Sequence, residues 1–262
     1  MLKKLIKYDL KWIYKALIPF YILSLIFAIL GRTISLINNS LLITVTTKIC
    51  YAITISMIVS IIINNIMRFW ARIIRNVYKD EAYLTHTLPV TKKEIMTAKI
   101  LSLLITILTS TLVIAVSLFI CYFSKENLDI LKSLLNIATQ TYDTTTIKLI
   151  LSLLTIFTIE TIFLSLVGLT AITYGYSKYD GKILKVTLLG AIIYIVLSII
   201  NLGLIYIFSL ITPDVIDIFA KEIVNITIIK KVLYYIMIIY IIESILLYEA
   251  SKRKLNQGVD IK

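Results

Sequence analysis

The chain of 262 residues is 59% hydrophobic, with only seven glycines and three prolines, and carries a formal net charge of +12. No polar stretch is long enough to build a soluble core, which excludes a multidomain soluble protein. Without a basic face on such a domain, it also excludes a nucleic-acid binder.

Six apolar runs, near residues 16–31, 49–67, 100–123, 149–174, 186–211 and 232–248, approach the roughly 20 residues that a bilayer crossing requires. Hydrocarbon offers the backbone no water, so runs of this length are helices, and the two-residue alternation of a membrane barrel is absent. The fold class is all-α: a polytopic membrane protein of six transmembrane helices. Lys3, Lys4, Lys7, Lys11 and Lys15 precede the first run, while Arg68, Arg72, Arg75, Lys79, Lys92, Lys93 and Lys99 separate the second from the third. Lys178, Lys182 and Lys185 follow the fourth, and Lys252, Arg253, Lys254 and Lys262 follow the sixth. Nineteen of the 27 basic residues thus fall on one side. The positive-inside rule then predicts a multi-pass cell-membrane protein with both termini cytoplasmic, its basic side against anionic lipid head groups. The organisation expected is an amphipathic interfacial helix at 1–15, a six-helix membrane domain at 16–250 with a cytoplasmic loop at 68–99, and a cytoplasmic tail at 251–262.

Residues 1–15, wound as a helix, place the five lysines on one arc and Leu2, Leu5, Ile6, Tyr8, Leu10, Trp12 and Ile13 over the rest, the pattern of a helix lying in the interface. A basic stretch before an apolar run also marks signal peptides, but the run ends in Phe27-Ala-Ile-Leu-Gly-Arg32 without a small-x-small cleavage site and reads as the first span. Asp9 interrupts the apolar arc, where a lone carboxylate is costly. Either it meets a cation from elsewhere, with Arg68, Arg72 and Arg75 as candidates, or the helix is rotated or frayed and Asp9 is solvated. Cys50 and Cys121 fall at the same ends of the second and third spans, where they either pair or pack as small apolar groups.

The loop at 68–99 opens with Arg68, Arg72 and Arg75 at helical spacing, so the second helix continues beyond the membrane. A short element over residues 80–87 exposes Tyr83, Leu84 and Leu88, and Pro89 ends it. Thr91 and Glu94 have the spacing of a capping box at the start of the third span. Further on, Glu160 and Glu243 lie within the fourth and sixth spans, where a carboxylate must be paired, protonated or facing water. They either hydrogen-bond hydroxyls such as those of Thr158, Thr161 and Ser244, or line a polar cavity and meet a cationic group of a substrate. Asn64, Asn65 and Asn201 pose a weaker form of the same question. Thr212-Pro213-Asp214-Val215 has helix-start chemistry before a short outer helix.

No catalytic or metal-ligating set is expected. The segment 175–183 has the wrong spacing for a phosphate loop and no hydroxyl residue after Lys182. A single histidine, His86, excludes histidine-rich metal sites and Ser-His-Asp hydrolysis.

The order of basic helix, span, short loop and span, followed by Asp80-Glu-Ala-Tyr-Leu-Thr-His-Thr-Leu-Pro-Val-Thr-Lys-Lys-Glu-Ile-Met-Thr-Ala-Lys99, resembles type-2 ATP-binding-cassette (ABC) exporter permeases. The likeness covers the whole chain in topology and Glu81 to Lys99 in motif, through Leu88-Pro89-Val90 and the lysine a few residues into the next span. The resemblance implies that Tyr83, Leu84, Leu88 and Pro89 form a coupling knuckle for a separate cytoplasmic ATPase, which would hold the ATP and Mg; this chain would need no cofactor. It also implies a second permease copy or paralogue, because six helices are too few for a pump. Small outer loops and an apolar, hydroxyl-dotted interior suit an amphipathic peptide or lipid-like substrate, as in the related exporters of phenol-soluble modulins. Two other classes stay open: a non-transporting scaffold or immunity protein that binds a peptide, and an intramembrane enzyme built on Glu160 and Glu243.

Overall fold

The computed structural model describes residues 1–37, 40–79, 81–122, 125–142, 144–178, 183–212 and 226–257, and these are almost entirely helical, with no strand among them. The helices are α1 (Leu2–Ser35), α2 (Leu41–Ile73), α3 (Ala82–Thr87), α4 (Lys92–Tyr122), α5 (Lys125–Thr141), α6 (Thr146–Lys178), α7 (Ile183–Ile211) and α8 (Ile226–Asn256). Six of them, α1, α2, α4, α6, α7 and α8, are long and apolar enough to span a membrane. The chain divides into two units, Met1–Lys132 and Ser133–Lys262.

In the first unit, α1 packs on α2 and α4. Its 34 residues rise about 51 Å, well beyond a hydrocarbon core of roughly 30 Å. The amphipathic segment at residues 1–15 is therefore not a separate element: nothing between Lys15 and Ala16 breaks the helix, and the lysine-rich turns are the first turns of α1 itself. Ile13, Leu17, Tyr21 and Ile61 form a core flanked by Trp12, Phe20 and Val113. Because lipid gives helices no hydrophobic reason to associate, close packing and hydrogen bonds hold them. Tyr21 Oη lies 2.6 Å from Ser110 Oγ and Ser24 Oγ 3.2 Å from Ser117 Oγ. Asn65 donates to Ser110 Oγ at 2.8 Å and accepts from Thr106 Oγ1 at 3.0 Å. Asn65 is thereby a structural clasp, and Asn64 is bonded within its own helix to Ser60 O. Ser40 caps α2 by accepting from the Ile43 amide. Cys50 and Cys121 are both buried free thiols that form no disulfide.

In the second unit, α6 packs against α7 and α8. Phe163 stacks on Tyr240 at 4.7 Å, Phe208 on Tyr235 at 4.2 Å, and Thr170 Oγ1 lies 3.0 Å from Ser251 Oγ. Gly175, in the segment weighed as a phosphate loop, lies inside α6 as a packing contact: a Cβ there would sit 2.6 Å from Val186 of α7. The last helix does not stop near Tyr248 but runs to Asn256, so half of the expected tail is helical.

Two connections differ from expectation or lie beyond view. Between the third and fourth spans stands the 17-residue α5 rather than a small loop. Ile130, Leu134 and Ile137 are exposed on it at helical spacing, a periodicity that a search for continuous apolar runs passes over. Thr212 ends α7, its amide and hydroxyl both donating to Phe208 O. The short outer helix expected from Pro213 onward lies outside the described residues.

Candidate functional site

The basic end of the first unit is built around Asp9, which is 3% exposed. The lysine arc of α1 turns outward, so helical geometry carries the residue between Tyr8 and Leu10 inward toward α2 and α4. There the carboxylate meets two cations. Arg72 Nε donates to Asp9 Oδ1 at 2.7 Å, and Lys99 Nζ donates to Oδ1 at 2.7 Å and to Oδ2 at 2.8 Å.

The network continues outward from these two. Arg72 Nη1 donates to Glu81 Oε2 at 2.7 Å, Asn76 Nδ2 donates to the same oxygen at 3.2 Å, and Lys99 Nζ donates to Asn76 Oδ1 at 2.7 Å. Arg75 Nε stands 3.2 Å from Glu81 Oε1. Two carboxylates thus face two buried cations and one half-exposed one, with Asn76 bridging donor and acceptor. Such closure is what makes buried charge tolerable, since an unpaired member would be strongly destabilising. Burial pushes the Glu81 carboxyl up, but the Arg72 charge, the bonds from Asn76 and Arg72 and the Arg75 charge outweigh it and hold it below the usual carboxylate value.

Of the three arginines expected to meet Asp9, only Arg72 does. Arg68 lies over the Trp12 ring at 5.9 Å, which Arg72 also overlies at 5.5 Å, a cation–π clamp between α1 and α2. Arg75 belongs to Glu81. Lys99 carries as much of the site as Arg72, whereas the sequence reading counted it among the interfacial charges and as the lysine of the family-like motif, without pairing it with Asp9. Its signal is the helical stripe Ile95, Lys99, Ser102, Thr106 and Ser110, whose other members face the core.

The network fixes α3. After α2 a π-helical turn, Ile74–Tyr78, redirects the chain, a device common near functional sites. Glu81 N then donates to Arg75 O, and His86 Nε2 lies 3.2 Å from Val77 O. Ala82 and Thr85 are buried beneath α3, while Tyr83 is 71%, Leu84 66% and Leu88 45% exposed, with Pro89 exposed beside them. Asp80, the expected start of this element, lies outside the described residues. The capping box is formed: the Thr91 amide donates to Glu94 Oε2 at 2.9 Å, and the Glu94 amide to Thr91 Oγ1 at 3.2 Å. A short apolar knuckle is thus held between two long helices and anchored through Glu81 to Asp9.

The other candidates lie in the second unit. Glu243 is 7% exposed and its Oε2 accepts from Asn201 Nδ2 at 3.2 Å, so its partner is an amide of α7. The hydroxyls expected to bind the glutamates do otherwise. Thr158 and Thr161 donate to backbone carbonyls of their own helix, and Ser244 Oγ is unbonded. Glu160 is exposed. No group of three or more potential metal ligands occurs among the described residues. No family model, curated protein or solved structure matches the chain.

Proposed function

We propose that this chain is the permease subunit of a type-2 ABC exporter, with both termini cytoplasmic, that moves an amphipathic or lipid-like compound out of the cell. The observation that carries the reading is the knuckle of Tyr83, Leu84, Leu88 and Pro89. Large apolar side chains exposed on an element too short to be a span suit a protein groove better than water or lipid. Their rigid support suits a lever: a push on α3 passes through Glu81 and Arg72 to Asp9 of α1 and, by Lys99, to α4. Two copies, or one copy and a paralogue, form the path, and a cytoplasmic ATPase that binds ATP and Mg on each copy supplies the work.

The test is co-purification from the native membrane. Tagged wild-type protein is expected to retain an ATPase subunit that carries a phosphate loop. The Leu84→Asp, Leu88→Asp double variant is expected to lose it while keeping the wild-type elution volume and helicity. An ATPase retained equally by both, or by neither, overturns the reading.

A further inference from the structure

The second unit holds a polar cluster that the coupling machinery does not use. Glu243 of α8 and Asn201 of α7 meet at mid-helix, joined by the hydrogen bond from Asn201 Nδ2 to Glu243 Oε2, and Ser244 follows Glu243 on α8. Glu243 Oε1, Asn201 Oδ1 and Ser244 Oγ are buried and have no partner among the described residues. The Asn201 oxygen is a pure acceptor, the Glu243 oxygen is one when the carboxyl is ionised, and the hydroxyl can accept as well, so a donor would satisfy all three. Tyr240 lies one turn from Glu243 on α8, its ring stacked on Phe163 of α6. No described lysine or arginine reaches the cluster. The nearest cations along α8, Lys231 and Lys252, stand roughly two and a half turns or more away.

A buried carboxyl group and orphaned acceptors, with the Tyr240 ring a turn away and no cation among the described residues, are complementary to a positive group that brings its own N–H donors and an apolar body. An ammonium can bond Glu243 Oε1 and Asn201 Oδ1, and its hydrocarbon tail can lie along α7, whose only buried residues are Val186 and Ser209. A bare metal ion would require more converging oxygens.

We propose that Glu243 and Asn201, with Tyr240 one turn away, form an intramembrane binding site for the ammonium group of a cationic amphiphile. That the amphiphile is also the transported substrate rests on the exporter reading; the binding site does not.

The experiment uses the purified full chain in nanodiscs of zwitterionic lipid, without ATPase, and radiolabelled dodecylamine as probe. Wild type is expected to bind it saturably, with dodecanol failing to compete, and Glu243→Gln to weaken binding by about tenfold or more. Equal binding by the variant, equal competition by dodecanol, or displacement by millimolar sodium or potassium overturns the proposal. Should the variant fail to assemble, wild type answers alone. Dicyclohexylcarbodiimide, which modifies membrane-buried carboxyl groups, is expected to label Glu243, and dodecylamine but not dodecanol to slow the labelling; labelling unaffected by dodecylamine overturns it. Binding without any ATPase partner in the cell leaves the site standing and removes the exporter reading, whereas an ATPase partner without amine binding does the reverse.

Discussion

Lys99 Nζ of α4 grips both carboxylate oxygens of Asp9 of α1, at 2.7 and 2.8 Å, across 90 residues of sequence, with both side chains buried. The pair ties the helix that starts the chain to the one that leaves the knuckle, and Arg72 adds α2 to the same carboxylate.

Asp9→Asn removes the charge that Arg72 and Lys99 share and leaves two like charges buried together. The expected loss is about 3–5 kcal/mol of stability, the usual cost of orphaning one partner of a buried pair. Thermal or denaturant unfolding in detergent measures it. Adding Lys99→Met restores charge balance, because Arg72 can serve Glu81 alone, so the double variant is expected to be more stable than Asp9→Asn. If the double variant is the weaker of the two, the network is not the unit described here.

Arg72→Lys keeps the charge but loses the planar fork that reaches Asp9 with one nitrogen and Glu81 with another. Expected is a loosened α3 on an otherwise intact helical unit. Amide hydrogen exchange should rise across residues 82–87 and remain near wild type in the middle of α1 and α4.

Acid should release the knuckle through Glu81. Its folded value lies below the roughly 4.3 of an unfolded glutamate. Its contribution is therefore fully present above that unfolded value and is lost as the pH falls through the lower folded one. A nitroxide at Thr87→Cys is expected to gain mobility as the pH falls below the ordinary glutamate range. Glu81→Gln should show that mobility already at neutral pH, with a flat profile.

Two glycines should respond in opposite directions. A Cβ at Gly31 would stand 2.6 Å from the Tyr51 ring and 3.1 Å from Cys50 Cβ, so Gly31→Val forces α1 from α2 at a cost of about 1–3 kcal/mol. Gly203 has nothing within 4 Å of that position, and Gly203→Ala is expected to stabilise α7 by up to about 1 kcal/mol through helix propensity. Melting temperatures of the two variants check both signs.

The sequence by itself determined that the chain is helical and where its spans lie, because a long run without charge has one structure in hydrocarbon and length alone reveals it. It also determined the capping box of Thr91 and Glu94, whose partners are three residues apart, and that Asp9 stood on a face where a carboxylate needs a partner. The identity of that partner was a tertiary matter. Lys99 looks the same on paper whether it faces lipid head groups or a buried aspartate, and only the packing of α4 on α1 distinguishes them. Asn201 likewise became the partner of Glu243 through the meeting of α7 and α8, in place of the hydroxyls nearer in sequence. The continuity of α1 through its amphipathic turns and the presence of α5 belong to the same class. An amphipathic pattern states which face is apolar, while what that face meets and how the helix joins its neighbours depend on contacts between residues far apart in the chain.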